Sequence, residues 1–316
     1  MTRCIKFILR ARIYHRITMK TCRYLGFLIL LLVAASYMQP AQAQEGPSIL
    51  IITAHPDDDA SFAATIHRIT HNLGGTADLA LITNGAGGYR FSTFAEDIYG
   101  LELTNPEIAK KHIPAIRKKE LMAGGSIIGL RDYTFIDQPD TGKTFDADAV
   151  MDNEWDVELV ARVLDRVLAD GDYDFVFTMV PVPSTHAHHK AASIFALEAV
   201  SRMATANRPI VLAGSSQSTF PPESFTFRML EGHPLTTLSD EHGPWGFNRN
   251  TKLGLDDRLN YNIIRNWLIA EHKSQGTMQT YMSLGESWET YWLYEMNGPE
   301  AVPTVQALFD AVVDVK

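Results

Sequence analysis

Cysteine is nearly absent: the 316 residues contain only Cys4 and Cys22, both ahead of position 43. The chain beyond that point has no disulfide available and must be held together by its core. Acidic residues are missing from the first 43 positions, which carry seven basic ones instead: Arg3, Lys6, Arg10, Arg12, Arg16, Lys20 and Arg23. The apolar stretch that follows, 25–37, has 13 residues. A bilayer crossing needs about 20, so the run falls well short of a membrane anchor. A basic flank, a short apolar run and Ala41-Gln42-Ala43 make the layout of a secretory signal cleaved after Ala43. The translation start is Met1 or Met19. The expectation is a leader over 1–43 and a protein exported to the periplasm or the extracellular space. No internal repeat and no low-complexity tract interrupts the rest.

Setting the leader aside leaves 273 residues with a formal charge of −16. That acidity disfavours nucleic acid and anionic membrane as partners. The length suits one large α/β domain or two small ones. Strand-like apolar runs at 48–53, 77–83, 133–136, 173–180 and 209–213 are separated by helical patterns at 61–73, 114–130, 156–169 and 187–203. Apolar strands between amphipathic helices imply a Rossmann-like three-layer α/β/α fold with a mostly parallel sheet. The stretch 216–260 is rich in Pro, Gly, Asp and Asn and has no clear period. It is expected to form a less regular cap or long loops, within a C-terminal extension over 216–316. A helix is expected over 260–281, and Trp288, Tyr291, Trp292 and Tyr294 are expected to pack onto the core.

One string concentrates the chemistry. Ala54-His55-Pro56-Asp57-Asp58-Asp59 follows directly on the first apolar strand. Ligands of open α/β sheets bind at that edge. Four ionisable groups at the mouth of a core strand are costly unless a cation or a substrate uses them. A dinucleotide would need G-x-G-x-x-G here, and three carboxylates would repel a pyrophosphate. Gly85, Gly87 and Gly88 follow the second strand instead, at the wrong spacing. A metal fits better. His186-Ala187-His188-His189 follows the apolar strand ending near Val180 and opens a helix on the same sheet edge. Two imidazoles, one carboxylate and an open position describe a catalytic zinc site, and equally the triad of non-haem iron oxygenases.

These residues resemble the PIG-L/LmbE-like deacetylases, metal-dependent hydrolases that remove acetyl groups from N-acetylglucosamine-type sugars. The family string usually reads A-H-P-D-D-E, so Asp59 is a conservative departure. Arg117-Lys118-Lys119-Glu120 is similar to the family's R-x-x-E, and His272-Lys273-Ser274-Gln275 to its H-x-S-Q segment. The resemblance implies His55, Asp58 and His189 as ligands of one zinc ion per chain, with Fe²⁺ as the other candidate. It implies Asp57 as general base and His186 as an imidazolium facing the oxyanion. Arg117 would contact the sugar and Asp140 one of its hydroxyls. Many members read H-P-D-H in the second motif, where the aspartate can orient the first histidine. Here His188 takes that place, so the orienting carboxylate must come from elsewhere or be absent. Ser184 and Thr185 stand where other members use a tyrosine as general acid. The function expected is de-N-acetylation of an acetylated amino sugar, free or as a glycoconjugate. The rivals are another metal-dependent amidase or esterase, a non-haem iron enzyme, and a non-catalytic carbohydrate-binding protein.

Overall fold

The first strand, β1 (Ser48–Thr53), is apolar on both sides because both sides are covered. Ile49 and Ile51 enter one buried cluster, while Leu50 and Ile52 enter another on the opposite face. In the computed structural model, which describes residues 46–141 and 144–314, four more strands run parallel to it. They are β2 (Thr76–Thr83), β3 (Leu130–Gln138), β4 (Phe175–Met179) and β5 (Ile210–Gln217). The leader expected over 1–43 lies outside the described residues.

Connecting helices supply the two outer layers. On one face lie α1 (Ala63–Asn72), α2 (Thr93–Tyr99) and α3 (Pro106–Ile128). Ile66 and Ile69 of α1, and Leu121 and Ile128 of α3, join the cluster containing Ile49. On the other face lie α4 (Ala147–Asn153), α5 (Val157–Asp170) and α6 (Ala187–Arg202). Val150, Val160, Leu164 and Ala191 there join the cluster containing Leu50. α3 begins well before Pro114, where the sequence pattern placed its start. Asn105 caps it by accepting the N–H of Glu107, and Pro106 takes the first position, where no N–H is needed.

The region beyond β5 is more regular in part than its composition implies. Within 216–260, β6 (Trp245–Asn248) joins the central sheet, while β7 (Lys252–Gly254) and β8 (Leu259–Asn260) form a small separate ribbon. The aromatic run is itself a strand, β9 (Trp288–Leu293), antiparallel to both β5 and β6. The order is β3-β2-β1-β4-β5-β9-β6, so five parallel strands carry a two-strand antiparallel extension. The helix expected over 260–281 stops early, as α7 (Tyr261–Glu271), and α8 (Val302–Val313) closes the chain. Among the described residues no helix is long and apolar enough to cross a membrane.

The strand order matters for function. From β1 the chain moves outward through β2 and β3, then returns to β4 on the other side of β1. The carboxyl ends of β1 and β4 therefore flank the crevice where open α/β sheets place their ligands.

Candidate metal and catalytic site

Local hydrogen bonding shapes the turn after β1. The N–H groups of Ala54 and His55 both point to Asp58 Oδ2, at 3.1 and 2.8 Å. Buried backbone donors need such a partner. The carboxylate that meets this need is thereby pinned beside the His55 ring, with Oδ1 turned inward. After β4, His186 caps α6, its Nδ1 accepting the His188 N–H at 3.2 Å. The first turn of that helix points His188 and His189 back at β1.

Three ligand-type atoms meet there. His55 Nδ1 lies 2.9 Å from His189 Nε2, which lies 3.1 Å from Asp58 Oδ1. His55 Nδ1 and Asp58 Oδ2 are 3.8 Å apart. Tetrahedral zinc with bonds of about 2.0–2.1 Å separates its ligand atoms by about 3.3 Å, and these distances bracket that value. Two imidazole nitrogens facing each other at 2.9 Å need something positive between them, a shared proton or a cation. The donor set and its spacing fit a divalent ion. His55, Asp58 and His189 are the residues that would hold it.

The electrostatics agree. Burial works against a charged Asp58, but the imidazoles of His189 and His55 hold its carboxyl well below the usual range. Burial likewise opposes a charged His55, yet Asp58, Asp140 and Asp57 outweigh it and raise the pKa. This is a pocket that favours positive charge at its centre. His186 behaves differently. Burial, followed by repulsion from His55, His188 and His189, pushes its pKa down to about 4. That shift works against the imidazolium that the resemblance implies at His186.

Asp57 points away from the three ligands. Its Oδ1 accepts a 2.7 Å bond from Arg117 NH2, whose other terminal nitrogen donates to the Gly85 carbonyl at 2.8 Å. Arg117 is buried, at 2% exposure. The resemblance places it on the sugar; each of its two terminal nitrogens makes one protein contact, with Asp57 and with the Gly85 carbonyl. Asp140, expected on a hydroxyl, accepts the Gly87 N–H at 3.0 Å with Oδ2. Its Oδ1 stands 3.5 Å from His188 Nδ1 and 3.9 Å from His55 Nε2. Burial alone would raise its pKa, but His55, Arg117 and His188 hold it below the ordinary value. The glycines after β2 have their explanation here. A Cβ at Gly87 would lie 2.5 Å from Asp140 Oδ1, and one at Gly88 would lie 2.6 Å from Arg117 NH1. They let two charged side chains in; they cradle no phosphate.

Several supporting residues were not paired by sequence reasoning. Arg117 and Glu120, three apart on α3, do not bond each other. Glu120 accepts from Ser274 through both its N–H and its hydroxyl, at 2.8 and 2.6 Å, and from the Tyr99 hydroxyl at 2.7 Å. His272 Nε2 meets Asp59 Oδ1 at 3.2 Å, both side chains fully buried. The H-x-S-Q-like segment is thus the buckle that ties the end of α7 to α3 and to the turn after β1. Thr185 Oγ1 lies 2.9 Å from His189 Nδ1, which leaves Nε2 for the centre. Glu154 approaches His188 Nε2 at 3.3 Å. The separation along the chain, 34 residues for Glu154 and His188, hides such pairs from any local pattern.

Residues 50–200 match the family model described as PIG-L, GlcNAc-PI de-N-acetylase. Over 165 residues, 52% of this chain, the sequence is 26% identical to a protein of Bacillus cereus named probable N-acetyl-alpha-D-glucosaminyl L-malate deacetylase 2. The match spans 66% of that relative, just under two thirds of its length. Among solved structures, a deacetylase of the teicoplanin biosynthesis pathway is 16% identical, with 78% of this chain and 96% of that one covered at a TM-score of 0.49. The 4-carboxy-2-hydroxymuconate hydratase GalB of Pseudomonas putida is 15% identical, covering 78% and 95% at a TM-score of 0.44.

Proposed function

We propose that this chain, whose residues 50–200 match the PIG-L family model, is a zinc-dependent hydrolase removing the acetyl group from an N-acetylglucosamine-type amino sugar or its conjugate. The observation that carries the reading is the approach of His189 Nε2 to both His55 Nδ1 and Asp58 Oδ1, at 2.9 and 3.1 Å, at the sheet's switch point. Asp57 stands beside them with its own cationic partner. The substrate class is supported by the Bacillus cereus relative, whose name specifies an N-acetylglucosaminyl compound. Export is part of the proposal and rests on the basic flank, short apolar run and Ala41-Gln42-Ala43 site of 1–43.

When bound, a divalent cation polarises the amide carbonyl and lowers the pKa of a coordinated water toward about 7. The remaining work falls to side chains. Asp57 takes the proton of the attacking water and later delivers it to the leaving amine. The Arg117 guanidinium fixes the Asp57 carboxylate in place through Oδ1, leaving Oδ2 for the water. His186 offers a neutral N–H to the oxygen that gains charge, a preorganised donor of the kind worth about 3 kcal/mol. With no tyrosine before the second motif, Asp57 serves as both base and acid.

Purified protein is expected to release acetate from N-acetylglucosamine derivatives in a panel of N-acetyl sugars. Chelation should abolish the release and added zinc restore it. Full activity after exhaustive chelation, or activity dependent on Fe²⁺ and oxygen, would overturn the assignment.

A further inference from the structure

His55 can serve a cation alongside Asp58 and His189 only if its Nδ1 carries the lone pair, so its proton must then sit on Nε2. Something has to accept that proton. The nearest acceptor is His188 Nδ1, at 3.2 Å. Asp140 Oδ1, at 3.9 Å, is beyond hydrogen-bond reach of the same nitrogen. His188 is itself fully buried, its ring against Trp155 with centroids 5.3 Å apart. On its far side, Nε2 faces Glu154 Oε2 at 3.3 Å. A carboxylate only accepts, so His188 Nε2 carries the hydrogen and Nδ1 the lone pair. The Thr141 hydroxyl donates to the same Glu154 oxygen and anchors it. This order gives one hydrogen to each of the two imidazole contacts, with Asp140 Oδ1 standing farther off, 3.5 Å from His188 Nδ1.

We propose that Glu154 and His188 are positioning residues that together do what one carboxylate would do. Glu154 sets the tautomer of His188, and His188 sets the tautomer of His55, presenting His55 Nδ1 to the ion. The inference rests on the metal-site reading above. It assigns a task to a glutamate outside both motifs. It also decides between the two ways in which His55 can be used. His55, His186 and His188 are also close enough to form a second trio of ligands. That trio would need a bare His55 Nε2, which the relay has already protonated, so a single ion per chain follows.

The test is zinc affinity, measured by competition with a chromophoric chelator on the full chain, in a double-mutant cycle. Glu154→Gln is expected to weaken zinc binding roughly tenfold, at the low end for outer-shell partners. His188→Asp places a carboxylate oxygen about where the imidazole Nδ1 stood and is expected to bind zinc within about threefold of the parent. In the His188→Asp background, Glu154→Gln should have no further effect, because the relay no longer runs through residue 154. A merely structural Glu154 would cost the same in both backgrounds, and that result overturns the proposal. An unchanged affinity in Glu154→Gln alone overturns it too. Two zinc ions per chain would assign His55 Nε2 to the second trio and also overturn it. In each case the proposed function survives if the parent binds zinc and hydrolyses. A parent chain that binds no zinc defeats both.

Discussion

Asp57→Asn is expected to lower turnover by roughly 10²–10⁴-fold, the usual contribution of a positioned acid–base group, while one ion per chain is retained. Affinity and turnover separate here because of where the turn sends each carboxylate. Asp58 spends one oxygen on the Ala54 and His55 N–H groups and turns the other toward His189. Asp57 bonds Arg117 instead and has no ligand contact of its own. Asparagine keeps the shape and accepts the Arg117 bond, but it cannot take a proton. Acetate release and zinc content measured on one preparation check the outcome. Loss of the metal along with activity would mean that Asp57 is a ligand and that the division of labour between neighbouring aspartates is wrong.

Arg249→Met is expected to destabilise the metal-free protein by about 3–5 kcal/mol, the cost of stranding a buried charge. Arg249 and Glu289 are both fully buried and pair at 2.9 Å. Glu289 accepts the N–H groups of Ala64 and Thr65 at 2.8 Å each, satisfying the first turn of α1. A negative group at that helix end also complements its dipole. Arg249 further bonds Ser216 Oγ at 2.8 Å and the Glu286 carbonyl at 3.1 Å. Through these contacts β5, β9 and the start of α1 share one network directly behind the metal turn. Urea unfolding of chelated protein avoids the stabilisation that a bound ion would add. A loss below about 1 kcal/mol would show that Glu289 is not stranded without Arg249, its bonds to the Ala64 and Thr65 N–H groups sufficing.

What could be read from sequence follows the range of the interactions involved. The five parallel strands and most of their helices were legible because period and apolar runs are local. So were the His55 and His186 clusters, since the strand-to-helix turns that place them are also local. β6 was not: it is four residues in a Pro- and Gly-rich stretch, and it is a strand because β9 pairs with it. β9 itself reads Trp-Glu-Thr-Tyr-Trp-Leu, and its buried Glu289 breaks the apolar pattern for the sake of a helix 225 residues away. α7 ends at Glu271 because His272 and Ser274 are drawn to Asp59 and Glu120. Arg117 and Glu120 have ion-pair spacing, yet each answers a distant partner. The downward pull of burial on the His186 pKa is likewise something no motif encodes.

The most direct measurement is anomalous diffraction at the zinc edge from crystals of the loaded protein. The expected map has one peak per chain, about 2.0–2.2 Å from His55 Nδ1, Asp58 Oδ1 and His189 Nε2. No peak, or one held by His186 and His188 without Asp58, would contradict the account.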